Sequence, residues 1–415
     1  MNLPTTNRFF TLACVSVAPA LGSVVSFIWH GGALWCFSQI ALGRRRFSPD
    51  RAMWVVAALL SVYVAASLAS FAVNDPRMDD IGSLASLATF LLVPFSYSVW
   101  SVSDKTAIAR AAALGGMIAG YSACAVAIVE YGLTGLRAEG GAGNALVFAT
   151  ATAMLGPLSL GGMLAFEWRW RWVMGGGYVA SLAALVLSGS RLAWVSAALI
   201  LLAMLVVWRK EIWRLARGQL LAMAAVLALI GVLSSGIVLE RAENVAADWE
   251  QLQEGSDYQS SLGLRLALWQ IGLQSFAERP LLGSGMHNTE EIIREGLREG
   301  FGIDRGFTHF HNGLLTLLVE SGLIGGGAIA ATLFYLAYLA FRGLRASGEP
   351  LVRFGSFTLI ILVVSSLAGG SLNIVIGHDI LDTLFVMFII MGVYLSAGTS
   401  LMPEASRLAA APSAS

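Results

Sequence analysis

Charge is scarce in this chain. Only 13% of its 415 residues are Asp, Glu, Lys or Arg, 57% are hydrophobic, and mean hydropathy is +0.72. A soluble domain carries about a quarter charged residues, so this composition excludes a soluble globule and indicates an integral membrane protein. Cysteine is rarer still. Cys14, Cys36 and Cys124 all lie in apolar runs, which argues against a disulfide framework and makes each a small buried hydrophobe. Lys plus Arg and Asp plus Glu balance at 26 each. No basic stripe runs along any segment, so no nucleic-acid partner is expected. P-loop, H-E-x-x-H and dinucleotide-binding glycine patterns are missing from any believable context, as is a solenoid or short-period repeat.

Long apolar runs are what the chain has in quantity. A helix crossing hydrocarbon needs about 20 largely apolar residues. Such runs occur near 9–22, 24–42, 52–73, 83–101, 106–131, 145–166, 172–188, 190–208, 219–238, 311–341, 354–376 and 380–400. The expected fold is an all-α integral membrane protein with about twelve transmembrane helices. Each would satisfy its own backbone hydrogen bonds, as lipid requires, and forty-five glycines suit close helix approach. Residues 9–42 are broken only around Pro19 and Gly22, so a re-entrant pair is an alternative there. The start also resembles a signal peptide, but Arg8 is the lone leading charge and no cleavage site follows, so it reads as mature sequence.

Basic residues crowd alternate loops: Arg44 to Arg46 with Arg51, Lys105 with Arg110, Arg169 with Arg171, Arg209 to Arg217, and Arg342 to Arg353. With Arg8 and Arg407 these make 17 of the 26. The positive-inside rule places that side in the cytoplasm with both termini. The expected organisation is helices one to nine in 1–238, a large and partly helical periplasmic loop in 239–310, helices ten to twelve in 311–402, and a disordered cytoplasmic tail in 403–415. The implied location is a bacterial inner membrane.

Chemistry gathers on the external side. Residues 239–310 hold twelve acidic residues, six arginines and no lysine. An anion bound there must be held by particular arginines, not by a general positive field. Within the loop Leu262, Leu266, Trp269, Leu273 and Phe276 recur at helical spacing, as for a helix on the membrane surface or capping the bundle. Arg265 sits beside this stripe, either snorkelling to water or serving a site. Arg191 follows Ser188-Gly189-Ser190 and opens a span. A helix N-terminus with a guanidinium is a good phosphate cradle, although headgroup anchoring explains Arg191 as well.

His311 stands where the polar loop ends and the next apolar run begins. It is either a cap on that helix or an ionisable group placed for proton transfer, the task histidine suits best near neutral pH. His309 and His287 lie nearby without its position at the mouth of a span. Glu320, nine residues on, falls about half a turn round the helix and cannot orient His311. His378, Asp379 and Asp382 superficially resemble a metal set, but acidic residues at a helix start are more simply matched to its dipole.

Together these residues resemble the O-antigen ligase and polymerase superfamily of polytopic membrane glycosyltransferases. The ligase signature is His, then Asn, Ser or Gln, nine residues, and Gly-x-x-Gly. Here it reads His311-Asn312, nine residues, Gly322-Leu-Ile-Gly325. The arginine after a small-residue turn, Arg191, also matches. So does Arg265-x-x-x-Trp269 followed by Pro280-Leu281-Leu282-Gly283-Ser284-Gly285. The resemblance covers 185–325 in detail. It implies an O-antigen ligase moving polysaccharide from undecaprenyl diphosphate to a sugar hydroxyl of the lipid A core. His311 would be the general base, Arg191 and Arg265 would bind the diphosphate, and the reaction would be inverting with no metal or other cofactor. An O-antigen polymerase or protein O-oligosaccharyltransferase is the alternative within the superfamily. A secondary transporter is the alternative outside it, but its charges should sit at the bilayer midplane of paired halves.

Overall fold

The computed structural model describes residues 3–76, 78–215, 228, 231–232, 258–371, 374 and 376–401. Regular structure among them is helical, with no strand. In chain order the first helices are α1 (Leu3–Leu21), α2 (Val24–Ala41), α3 (Arg51–Val73), α4 (Ala88–Leu91) and α5 (Val93–Trp100). They are followed by α6 (Lys105–Thr134), α7 (Ala145–Ala165), α8 (Arg171–Ser188), α9 (Arg191–Val207) and α10 (Arg209–Trp213). After these come α11 (Ser261–Glu278), α12 (Thr289–Phe301), α13 (Gly313–Ala346), α14 (Pro350–Val364) and α15 (Asp379–Ser396).

Nine helical segments among the described residues are long and apolar enough to cross a membrane, which makes this a multi-pass membrane protein. Three expected spans account for the difference from twelve. Helix α1 opens on polar Thr5, Thr6, Asn7 and Arg8 and is not among the nine. Helix α9 is apolar but has only 17 residues. The run at 219–238 lies almost wholly outside the described residues, as do the loop residues 239–257 and the tail.

The region 9–42 forms two helices, α1 and α2, joined at Gly22. Near one end of α1, Asn7 Nδ2 donates to the Val99 carbonyl at 3.0 Å. At the other end Gly22 lies against the backbone of Gly141. Nineteen residues at about 1.5 Å each nearly match a hydrocarbon core of about 30 Å. The expected span at 83–101 is one of the nine, running Asp80–Trp100, and is built from a 3₁₀ segment (Met78–Leu87) followed by the short helices α4 and α5. Pro94 lies in the first turn of α5, where its missing N–H costs nothing.

Helices α7 and α15 are buried almost throughout, as expected where a helix is apolar all round. The others pack round them: α6 against α1, α7 and α8, α3 against α13, and α14 against α15. The arginine-rich loops meet at one end of the bundle. There Arg353 Nη1 donates to Glu211 Oε1 at 2.5 Å, Lys105 Nζ donates to the Gly398 carbonyl at 2.6 Å, and Tyr97 donates to Asp50 at 2.7 Å.

At the opposite end α11 and α12 build a small second core with the start of α13, made of Ala267, Leu268, Ile271, Ile293, Leu297, Ile303, Phe310, Leu315 and Val319. The inward face of α11 carries Gly263, Ala267, Ile271 and Ser275. The apolar stripe expected on the membrane surface or capping the bundle is divided, with Leu273 59% exposed and Trp269 and Phe276 packed against this core. Small residues face the bundle because they admit close backbone approach, while large ones are tolerated where lipid or the interface can cover them.

Candidate active site

The site is built on a broken helix. Helix α13 starts at the N-cap Asn312, whose side chain accepts from the Leu315 amide at 3.0 Å. One turn on, Thr316 Oγ1 donates to the Asn312 carbonyl at 2.9 Å and accepts from the Phe310 amide at 3.3 Å. The asparagine of the motif thus works as a capping residue, satisfying one of the amides every helix start leaves open.

At Gly322 the helix breaks, with φ +64° and ψ −166°. Only glycine enters that region without strain. The segment 280–285 fills the gap. The Leu323 amide donates to Pro280 at 2.8 Å and the Ile324 amide to Leu281 at 3.3 Å. In return Ser284 donates to the Val319 carbonyl at 2.6 Å and Gly285 to the Glu320 carbonyl at 3.2 Å. A side chain on Gly322 would collide with the Leu281 carbonyl, and one on Gly283 with the Val319 carbonyl. The two glycine motifs, nearly forty residues apart in the chain, therefore form one interlocked unit. Broken backbone at membrane depth is tolerated only when protein satisfies it, and here four hydrogen bonds do so.

The end of α3 clamps this unit. Ser70 Oγ donates to the Glu320 carbonyl at 2.8 Å and Asn74 Nδ2 to the Gly283 carbonyl at 3.1 Å. His287 Nε2 lies 3.0 Å from the Asn74 carbonyl and its ring meets Phe71 edge-on. The Glu320 carboxylate accepts from Thr289 at 3.3 Å, so it faces α12 and not His311. Ser70, Asn74 and Thr289 escape sequence reading, because lone hydroxyls and amides at span ends carry no pattern. Gly325 sits where α13 approaches Ala66 of α3.

His311 immediately precedes the cap and has φ +49°. For a non-glycine residue such a conformation costs about 1–2 kcal/mol and marks sites held by their surroundings. Its half-buried ring meets His309 edge-on at 4.5 Å and Phe307 at 5.5 Å. Burial, and then the charge of Arg265, push the His311 imidazole below its ordinary value. Burial together with His311 and His378 pushes His309 down to about 4. Both rings are therefore neutral at pH 7, the state in which an imidazole accepts a proton. His311 and Arg265 are brought together across α11 and α13.

Arg191 opens α9 at this same end. Ser196 of α9 lies beside Gly369 in the π-helical turn Ser365–Gly369 that ends the α14 span. The turn before Arg191 is pinned by Arg137, whose Nε donates to the Ser188 carbonyl at 2.9 Å. His378 and Asp379 stand 3.1 Å apart at the start of α15. Among the described residues no cluster of three His, Cys, Asp or Glu is placed to hold a metal ion.

An imidazole neutral at pH 7, a neighbouring guanidinium and a helix N-terminus preceded by an arginine-pinned turn suit deprotonation of a hydroxyl beside a bound anion. The family model described as O-antigen ligase matches residues 176–330, a segment holding Arg191, Arg265, His311, Gly322 and Gly325. No curated protein matches the chain.

Proposed function

Since that match supports the O-antigen ligase superfamily, whose members are membrane glycosyltransferase-like enzymes, we propose that the protein is an O-antigen ligase. It transfers a finished polysaccharide from undecaprenyl diphosphate to a sugar hydroxyl of the lipid A core, at the periplasmic face of the inner membrane. The acceptor O–H gives its proton to His311 as the oxygen attacks the anomeric carbon. The bond from that carbon to the phosphate oxygen breaks, and its electron pair leaves on the diphosphate. A single displacement inverts the anomeric configuration. Arg191 and Arg265 bind the diphosphate and stabilise the charge that grows on the departing oxygen. Guanidinium is the better group for this because it is permanently charged and bidentate. The proposed layout keeps both termini cytoplasmic, with the catalytic loop of 239–310 outside between helices 1–238 and 311–402.

The observation that carries the reading is His311, strained and half-buried beside Arg265 at the mouth of α13. Deleting the gene in its host and examining lipopolysaccharide tests it. Loss of a ligase leaves bare core while long polymer accumulates on the lipid carrier. Core bearing a single repeat would identify a polymerase instead, and unchanged lipopolysaccharide would remove glycan transfer altogether.

The charge of Arg265 also predicts a pH signature. A lowered His311 pKa keeps the base unprotonated down to below its ordinary value of about 6.5. Activity is then full at neutral pH and falls as pH drops through the lowered value. Burial is the larger cause of that lowering and remains in Arg265→Gln, which removes only the added effect of the guanidinium charge. The acid limb of kcat/KM should therefore move to higher pH, in addition to the loss in rate. A limb that stays in place in this variant would separate Arg265 from His311.

A further inference from the structure

The turn between α8 and α9 is met by a second guanidinium that no motif marks, Arg137 of the loop between α6 and α7. Arg137 follows Gly135, the left-handed cap of α6, and the loop is fastened to the end of α8 by the Ala138 amide donating to the Leu187 carbonyl at 3.1 Å. Arg137 then reaches Ser188 through Nε at 2.9 Å, and its side chain packs over Gly189. That contact uses one of the five N–H donors of a guanidinium. Among the described residues Arg137 makes no other hydrogen bond. Glu130, the acidic residue at the loop's base, is committed to the Glu139 and Gly140 amides at 2.8 and 2.9 Å.

The second observation concerns Ser190, the N-cap of the 17-residue helix α9. An N-cap serine normally accepts from an amide two or three residues on, but Ser190 makes no such bond. It is only 3% exposed, and its Oγ has no partner among the described residues. A buried hydroxyl without a partner is costly. Capping of the α8 C-terminus by Arg137 would explain the Nε contact, but it leaves the Ser190 hydroxyl and the uncapped amides of α9 unexplained. An anion seated on the turn accounts for all three.

We infer that Arg137 and Ser190 complete a diphosphate subsite at the α9 N-terminus, with Arg191 as its third member. The identity of the anion as the donor's diphosphate rests on the glycan-transfer reading; the existence of a diphosphate-binding site does not. Arg137 holds the outer edge of the anion, Ser190 donates its hydroxyl from below, and the open amides of α9 add the positive end of the helix dipole.

The test uses the full-length protein in lipid nanodiscs, with inorganic pyrophosphate as the probe and its Kd read by calorimetry. Arg137→Gln should weaken pyrophosphate about tenfold, the scale of one charge-assisted hydrogen bond. Ser190→Asp places a carboxylate at the N-cap. It should weaken the anion at least as much while holding or raising the melting temperature, because Asp caps a helix well. A purely structural turn predicts the opposite for Ser190→Asp: better capping and an unchanged Kd. That result, or an unchanged Kd in a folded Arg137→Gln, overturns the inference. Should Arg137→Gln not fold, Ser190→Asp alone decides. In turnover assays the donor KM should rise in both variants with the acceptor KM unchanged. Because the Kd is read without turnover, the outcomes stay distinct. Weakened pyrophosphate with normal host lipopolysaccharide on deletion would sink the ligase reading alone, and the reverse would sink this subsite alone.

Discussion

His311→Ala should lower the rate of glycan transfer about 10²–10⁴-fold, the usual worth of general-base help, with donor binding little changed. Among the described residues the ring at the mouth of α13 combines a lowered pKa with a neighbouring guanidinium. His309 touches it and is also neutral at pH 7, but it lies two residues further from the α13 cap and leans on His311 itself. His309→Ala should therefore cost much less. Alanine has a second effect, since a residue at φ +49° is strained and alanine relieves none of that strain. His311→Asn separates the two contributions, because asparagine tolerates left-handed backbone but cannot act as a base near neutral pH. Both variants should lose the acid limb of the pH–rate profile as well as the rate. If His311→Asn retained wild-type transfer at pH 7, the base would have to be another group.

Much of this was legible in the residues, and the failures have a common cause. The ends of α3, α6, α7 and α8 fall within three residues of the expected spans, because a helix in hydrocarbon is specified by its own composition. The broken helix was invisible. Residues 311–341 read as one apolar run, and nothing local announces that Gly322 is left-handed or that Pro280 and Leu281 fill the gap. That arrangement depends on a partner segment nearly forty residues earlier, and periodicity cannot encode it. The facing of α11 stays open in the sequence for a similar reason. Apolarity identifies a buried stripe in water, but beside a bilayer the largest side chains can face outward while Gly263 and Ala267 face the protein. His311 and Arg191 stand out in the sequence because ionisable groups at span mouths are expensive enough to need a reason. Arg137 was passed over because its role appears only when the Ser188 carbonyl is brought to it.

The motif glycines then acquire a mechanical meaning with a large predicted effect. Gly322→Ala should destabilise the protein by about 3 kcal/mol or more, combining the strain of a conformation open only to glycine with loss of part of the loop's hydrogen bonding. The new Cβ lands on the Leu281 carbonyl, which cannot yield without withdrawing the whole 280–285 segment from the break. That withdrawal strands the Leu323 and Ile324 amides and the Val319 and Glu320 carbonyls in an apolar setting. It also loosens α11, the element that carries Arg265 towards His311. Transfer activity should fall more than tenfold even in the folded fraction, since misplacing a positioned group by about an ångström can cost about 10²-fold. Gly325→Ala makes a useful contrast. Its Cβ meets the Ser321 side chain and then Ala66, so the cost falls on α3–α13 packing and the loop stays seated. Thermal unfolding in detergent, with transfer assayed on the soluble fraction, distinguishes the two. Were Gly322→Ala to melt and turn over like the wild type, the interlock would not be what holds Arg265 against His311.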